Sequence, residues 1–215
     1  MAKISKPVTL NDFRPVALTS MIMKQFEKLV KTEILTKTEL LLDPLQFAYR
    51  ANRGVQDATA TLLNLVSKHL EGGRNHAKLL FVDFSSAFNT IQPHILAERL
   101  LQSFDLDACL VGWIFDFLTN RTQQVRVNGT LSSPLSSSTG SPQGCVLSAL
   151  LYILYTNDCR SHHADRFIIK YADDSVVVSL LYDGEVSHGL VFEDFTSWCD
   201  EYFLQINVDK TKDVY

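Results

Sequence analysis

The sequence predicts an α+β fold, with an antiparallel sheet backed by helices on one face. Three observations carry this expectation. Apolar residues recur at helical spacing in two stretches of the first 70 positions. A near-continuous apolar run, "AKLLFVDF", follows at 77–84. "FIIKY" and "SVVVS" then read as two strands, at 167–171 and 175–179, joined by a short acidic turn.

Taken in order, "NDFRPVALTS" (11–20) reads as a short strand or turn, with Pro15 directly after Arg14. An amphipathic helix is expected after a cap at Thr19 or Ser20, with Ile22, Phe26, Leu29, Val30 and Ile34 at helical spacing. "LLDPLQFAYRANRG" interrupts at Pro44, and a second helix runs from about Val55 through Ala58, Leu62 and Val66 until Gly72–Gly73 stops it. "AKLLFVDF" reads as a buried strand ending in Asp83. Pro93 opens a helix carrying Ile95, Leu96 and Leu100. Asn128–Gly129, inside "QQVRVNGTLSSPL", signals a hairpin. "SSSTGSPQG" is a loop, and "CVLSALLYILYTND" is a helix apolar on most faces, hence buried. After the acidic hairpin, a helix through Leu190, Phe195 and Trp198 and the tail "LQINVDKTKDVY" finish the chain. There is no internal repeat and no low-complexity linker.

With 215 residues, 46% hydrophobic and 20% charged, the composition is that of a globular chain able to bury a sizeable core, not of a disordered one. Cys109, Cys145, Cys159 and Cys199 are scattered, with no C-x-x-C and no nearby histidine pair. That argues against a structural zinc site or a disulfide framework and for a reducing compartment, nuclear or cytoplasmic rather than secreted. No signal peptide is visible, and "CVLSALLYILY" is too short for a bilayer, which needs about 20 apolar residues. The six histidines show no ligand spacing and read as surface or loop residues. The net charge of −4 conceals an asymmetry: 12 basic and 7 acidic residues in 1–82, against 8 and 17 afterwards. A basic front suits a polyanion and an acidic back suits divalent metal.

Asp173 and Asp174 sit between two β-favouring runs. A solvated hairpin turn tolerates such a pair, since Asp is a common turn residue. Adjacent carboxylates also raise one another's pKa, which a cation relieves. Asp83, at the end of an earlier buried strand, supplies the third acid that nucleotidyl transfer by two metal ions would need at one point in space. Magnesium prefers such hard oxygen donors.

"YADD" (171–174) resembles motif C of reverse transcriptases. "FVDFSSAFNTI" (81–91) and "TGSPQGCVLSALLYILYTND" (139–158) look like motifs A and B of the non-LTR, or LINE-type, branch. "NDFRPVALTS" and "LQFAYRANRGVQDAT" are similar to its two finger motifs, and "WCDEYFLQINVDKTK" (198–212) to its motif D region. The resemblance covers nearly the whole chain, with its blocks in the family's order.

The resemblance implies a right-hand polymerase, with fingers at 1–76, palm at 77–215 and a fingers-side hairpin near 121–138, ending before the thumb. It implies RNA-directed DNA synthesis with two Mg²⁺ ions, an RNA template, a DNA primer and dNTPs. It implies no membrane, and a longer polyprotein that supplies thumb and endonuclease. Asp83 and Asp173 would bridge the metals, helped by Asp174 and the Phe84 carbonyl. Phe88 would crowd the sugar 2′ position, and Gln143 and Gly144 would line the incoming nucleotide. Arg14 would hold the triphosphate, with Lys6, or less readily Lys3, assisting. Arg50 would contact the template or the fingers. Lys212 would serve as the motif D lysine, with Lys210 the other choice that "KTK" leaves open.

Asn89 stands where the family usually has Asp, Ala149 departs from the usual "SPL", and Gly54–Val55 replaces a common Ser–Thr. Asn89 and the missing thumb together motivate the alternative reading, a catalytically inactive remnant acting at most as a nucleic-acid- or partner-binding module. A viral RNA replicase, which would prefer ribonucleotides, is disfavoured by "FRP", Phe88 and "SPQG", and a nucleotidyl cyclase is a remoter alternative.

Overall fold

The computed structural model describes residues 5–6, 16–73, 76–127, 129–185 and 188–215. Its centre is a four-stranded antiparallel sheet of β1 (His76–Val82), β6 (Arg166–Tyr171), β7 (Asp174–Leu181) and β8 (Lys212–Val214), in the order β6-β7-β1-β8. The expected strand and hairpin are therefore neighbours, with Val82 opposite Ser175. The tail, which the sequence left unassigned, adds β8 beside β1 through the pairs Leu79–Val214 and Phe81–Lys212.

Helices cover both faces of this sheet, not one as the sequence suggested. Leu80, Val82, Ile168 and Val177 point into the larger core, which also takes in Leu96, Leu100, Val111, Ile114, Phe195 and Cys199. Those residues come from α4 (Pro93–Gln102), α5 (Ala108–Leu118) and α7 (Leu190–Glu201). On the opposite face Ile169, Val178 and Leu180 meet Phe47 and one stripe of α2 (Val55–Leu70), namely Ala58, Leu62, Leu65 and Val66. The physical sign was in "SVVVS": three successive valines lack the alternation of a strand with one wet face. Val177 and Val178, pointing to opposite faces, are both fully buried.

The helix boundaries follow local chemistry. α1 (Met21–Thr38) is capped by the Ser20 hydroxyl, which accepts the Met23 N–H at 3.2 Å. α4 begins at Pro93. α5, which the sequence did not single out, is capped by Asp107, whose carboxylate accepts from Cys109 and Leu110 N–H groups. α6 (Ser148–Tyr155) is buried at every position but Ala149, as its composition predicts. Between α5 and α6, β2 (Arg121–Gln123) pairs with β5 (Leu135–Ser137), and β3 (Arg126–Val127) with β4 (Thr130–Leu131). Asn128 of the expected turn lies outside the described residues.

α1 departs from its expected face. Ile22 and Leu29 are 83% and 70% exposed, whereas the inward stripe is Glu27, Val30, Ile34 and Thr38. The apolar pattern alone could not fix the phase, because one inward position is a carboxylate.

His188 is a loop residue, as expected, but it is buried: its ring bonds Ser179 Oγ at 2.8 Å and Asp213 at 3.4 Å. Burial holds its pKa below the ordinary histidine value, with Asp213 pulling the other way. The four cysteines are free thiols, three of them buried, and burial pushes Cys159 up to about 12. Among the described residues no helix is long and apolar enough to cross a membrane.

The turn after α1 is bolted to the sheet by a buried ion pair. Lys170 Nζ lies 2.8 Å from Asp43 Oδ2, and both side chains are 3% exposed. The ammonium also donates to the Thr156 and Cys159 carbonyls, at 2.9 and 2.7 Å. Main-chain bonds from Phe47 N to Lys170 O and from Lys170 N to Leu45 O complete the junction. Removing one partner of such a pair strands a buried charge. Lys170→Met is expected to lower the unfolding free energy by about 3–5 kcal/mol, and adding Asp43→Leu to recover most of it. Urea denaturation of the three chains measures both effects.

Candidate active site

The three acids meet at one end of the sheet, where β1 finishes beside the β6–β7 hairpin turn. Tyr171 and Asp174 form the last pair of the β6–β7 hairpin, leaving Ala172 and Asp173 as its tip. Ala172 holds φ 58°, a left-handed conformation that costs a residue with a Cβ about 1–2 kcal/mol. Since Val82 pairs with Ser175, the next residue, Asp83, leaves β1 beside Asp174. The Asp174 carboxyl is held above the usual aspartate range by partial burial first, then by the charges of Asp173 and Asp83, with Lys210 opposing.

Asp83 is anchored by the segment after α7. Its Oδ2 lies 3.2 Å from Lys210 Nζ and accepts from Asn207 Nδ2 at 3.2 Å. Asn207 N–H donates to the Asp83 carbonyl, and Ser85 N–H to Gln205 O, each at 2.8 Å. These two bonds flank the bridge between Phe84 and Ile206, so the Phe84 carbonyl itself is not spent on that pairing. The Phe84 ring is buried and tilted against Phe195.

An aromatic wall stands behind the hairpin tip. Phe88, on the single-turn helix α3 (Ala87–Thr90), stacks on Tyr152 of α6 with centroids 4.7 Å apart. Burial pushes the Tyr152 hydroxyl pKa well up, and the Asp173 charge adds to it. Tyr49 is raised by the same two causes. Neither tyrosine was singled out from the sequence: Tyr152 sits in the apolar run read as a buried helix, and Tyr49 in the stretch read as an interruption between helices.

The "TGSPQG" turn lies across α3. Gly140 N–H donates to Ile91 O and Ser141 N–H to Phe88 O, both at 2.7 Å. A Cβ at Gly140 would come within 2.7 Å of the Asn89 main chain, and φ there is 71°, so the position demands glycine. Arg121 donates to the Gly140 carbonyl at 2.9 Å. Gln143 accepts the Ala17 N–H at 2.7 Å through its main-chain carbonyl. Gly144 (φ 100°) is pressed against Val16 and Ala17, a close approach to protein backbone.

The remaining candidates are spread out. Arg50 donates to the Asp43 carbonyl at 2.8 Å and, more weakly, to Gln46 and Glu39 carbonyls, so its guanidinium braces the turn after α1. Lys6 is an exposed bend residue, and Arg14 lies outside the described residues. Lys212 is exposed on β8, opposite Phe81. Of the two lysines of "KTK", Lys210 is the one in contact with an acid. Asn207, three residues earlier, went unnoticed in the sequence because asparagine in a polar tail carries no signal of its own.

Among the described residues no three His, Cys, Asp or Glu side chains stand in a metal-holding arrangement. The chemistry of the site nevertheless fits a hard divalent cation. Its donors are carboxylates and a carbonyl, the acids repel one another, and one of them has drawn in an ammonium.

Residues 4–215 match the family described as reverse transcriptase (RNA-dependent DNA polymerase). The chain belongs to the reverse transcriptase family. Its curated relatives include the probable RNA-directed DNA polymerase from transposon BS of Drosophila melanogaster, 29% identical over 93% of the chain and 23% of that protein. The RNA-directed DNA polymerase from mobile element jockey of the same organism is 27% identical over 97% of the chain and 24% of its own length. Both are non-LTR retrotransposon polymerases, the branch that the motifs resemble. The chain thus spans about a quarter of the length of these relatives. Among solved structures, telomerase from Candida albicans in complex with a TWJ fragment of telomeric RNA superposes with TM-score 0.62 at 13% identity, covering 90% of this chain and 34% of that one. Apo telomerase from Candida tropicalis gives 0.63 at 12% identity, covering 89% and 36%. These likenesses show the fold, that of a right-hand polymerase.

For this reverse transcriptase chain the raised Asp174 pKa has a definite sign. The unfolded chain ionises that carboxyl first, so stability is lost as pH rises from the ordinary aspartate value of about 3.9 through the raised folded value. Asp174→Asn is expected to raise Tm at neutral pH in metal-free buffer, with the gain vanishing below about pH 3.9. Thermal melts of both chains across that range check it.

Proposed function

We propose that this chain is the fingers and palm of an RNA-directed DNA polymerase, with fingers at 1–76 and palm at 77–215. The reaction is attack of a primer 3′-hydroxyl on the α-phosphate of a deoxynucleoside triphosphate, directed by an RNA template, with pyrophosphate leaving. The observation that carries this reading is the β1–β7 register, which brings Asp83 to the Asp173–Asp174 hairpin at one end of the sheet.

Asp83, Asp173, Asp174 and the Phe84 carbonyl are the oxygens suited to hold two Mg²⁺ ions. Bound there, such ions supply electrostatic stabilisation of the attacking and leaving oxygens. Phe88, braced from behind by Tyr152, presents a ring where a sugar 2′-hydroxyl would have to fit. Gln143 and Gly144 flank the nucleotide from the turn opposite. Arg14 and Lys6 are the candidate triphosphate contacts from the N-terminal segment, and Arg50 acts by shaping the turn that follows α1. Lys210 is the better candidate than Lys212 for the proton donor to pyrophosphate, because its ammonium already reaches the acidic end.

Primer extension on an RNA template with dNTPs and Mg²⁺ tests the reading, using this chain joined to the segment that follows the matched region in the jockey polymerase. Asp83→Asn or Asp173→Asn is expected to lower the rate by on the order of a thousandfold, several kcal/mol of transition-state stabilisation. An inactive parent that still binds template would instead favour a non-catalytic remnant. In the same assay Lys210→Met should lower kcat by about a hundredfold and Lys212→Met should leave it close to the parent, the reverse order overturning the choice of lysine.

A further inference from the structure

Glu27 is a charged residue where α1 would otherwise present an apolar one. It belongs to the inward stripe with Val30 and Ile34, and its side chain is fully buried. Burying a carboxylate is costly unless it is well bonded. Glu27 Oε2 accepts the Leu147 N–H at 3.0 Å, across 120 positions of sequence. Its other oxygen, Oε1, is buried with no hydrogen-bond partner.

Leu147 occupies the N-cap of α6, and no side chain of that helix caps it. The usual local acceptor for the N-cap's own N–H is a Glu or Gln at the third helical position, which in α6 is Leu150. Here the cap comes from another helix, so α1 and the start of α6 are held as one body. A second link, between main chains, lies four residues away, where Ala17 N–H donates to Gln143 O and Gly144 packs on Val16 and Ala17. Gln143 and Gly144 are therefore bracketed by segment 16–27 on one side and by the α3 contacts of Gly140 and Ser141 on the other. Cys145, between the two links, has its thiol pKa raised by burial and then by the Glu27 charge.

We infer that Glu27 is a positioning residue: its carboxylate, by capping α6 from α1, sets the "SPQG" turn at the distance from Asp83 at which an incoming nucleotide fits. The nucleotide half of this inference rests on the polymerase reading above; the brace itself does not. Nothing in the sequence marks Glu27, which reads there as an ordinary polar residue of an amphipathic helix.

Two measurements separate the halves. Amide hydrogen exchange on the 215-residue chain without nucleotide reads the brace. Glu27→Leu is expected to speed exchange at Leu147 and its neighbours by about tenfold or more, with α4 and α5 unaltered. Glu27→Gln, which keeps an acceptor, should lie closer to the parent, and Glu27→Ala carries the measurement should the leucine chain not fold. Unchanged exchange at Leu147 in the acceptor-free variant that folds, or equal acceleration throughout, overturns the brace.

Primer extension with the jockey-completed chain reads the nucleotide role. Glu27→Leu should raise KM for dNTP about tenfold with kcat held within about twofold, and Glu27→Gln should restore most of KM. An unaltered KM, or a loss confined to kcat, overturns the positioning role. An inactive parent overturns the polymerase reading and with it the nucleotide role, while the exchange result still decides the brace.

Discussion

The pairing of β1 with β7 is the constraint on which the rest depends. Every side chain in a strand changes face when its register slips by one residue. Here a slip would drive Leu80 and Val82 out of the core beneath α4, α5 and α7, and would carry Asp83 away from the hairpin. Because helices cover both faces of the sheet, neither face can absorb the error. The register is thus specified by apolar burial, and the acidic end inherits its geometry from residues that have no part in chemistry.

That end concentrates negative charge against a partly apolar wall. Tyr49 and Tyr152 both feel Asp173, and Asp174 feels both other acids. Low dielectric strengthens such repulsion. Lys210 and Asn207 answer it at Asp83, and both arrive on the strand-forming tail that also supplies β8. The tail therefore adds a strand beside β1 and brings one positive charge to Asp83. On the other side, the Asp43–Lys170 pair ties the turn after α1 to the strand that runs into the hairpin tip. The two flanks of the acidic hairpin are braced by ion pairs of opposite character, one buried and one 69% exposed on its lysine side chain.

Much of this was legible in the chain because the signals are local. Ser20 and Pro93 start helices through their own hydroxyl and ring, and "AKLLFVDF" and "FIIKY" are strands by composition alone. The same locality explains the errors. The face of α1 was misjudged because Glu27 turns inward to satisfy an N–H in a segment 120 positions later. Helix on both faces of the sheet was missed because α2 reads as an amphipathic helix with no statement of what it covers. Arg50 reads as a template or fingers contact, and its guanidinium donates to the Asp43 carbonyl in the turn after α1. Asn207 and Tyr152 became visible only through the atoms they touch.

By itself the sequence determined the type of most elements, the order of the motifs and the three acids as candidates, since each of these is written within a few adjacent residues. Tertiary structure decided which face each helix buries, which lysine of "KTK" reaches Asp83, and what holds the "SPQG" turn in place. Those are outcomes of contacts between segments far apart in the chain, chosen by the need to satisfy buried charges and main-chain groups, and no stretch of sequence carries that information alone.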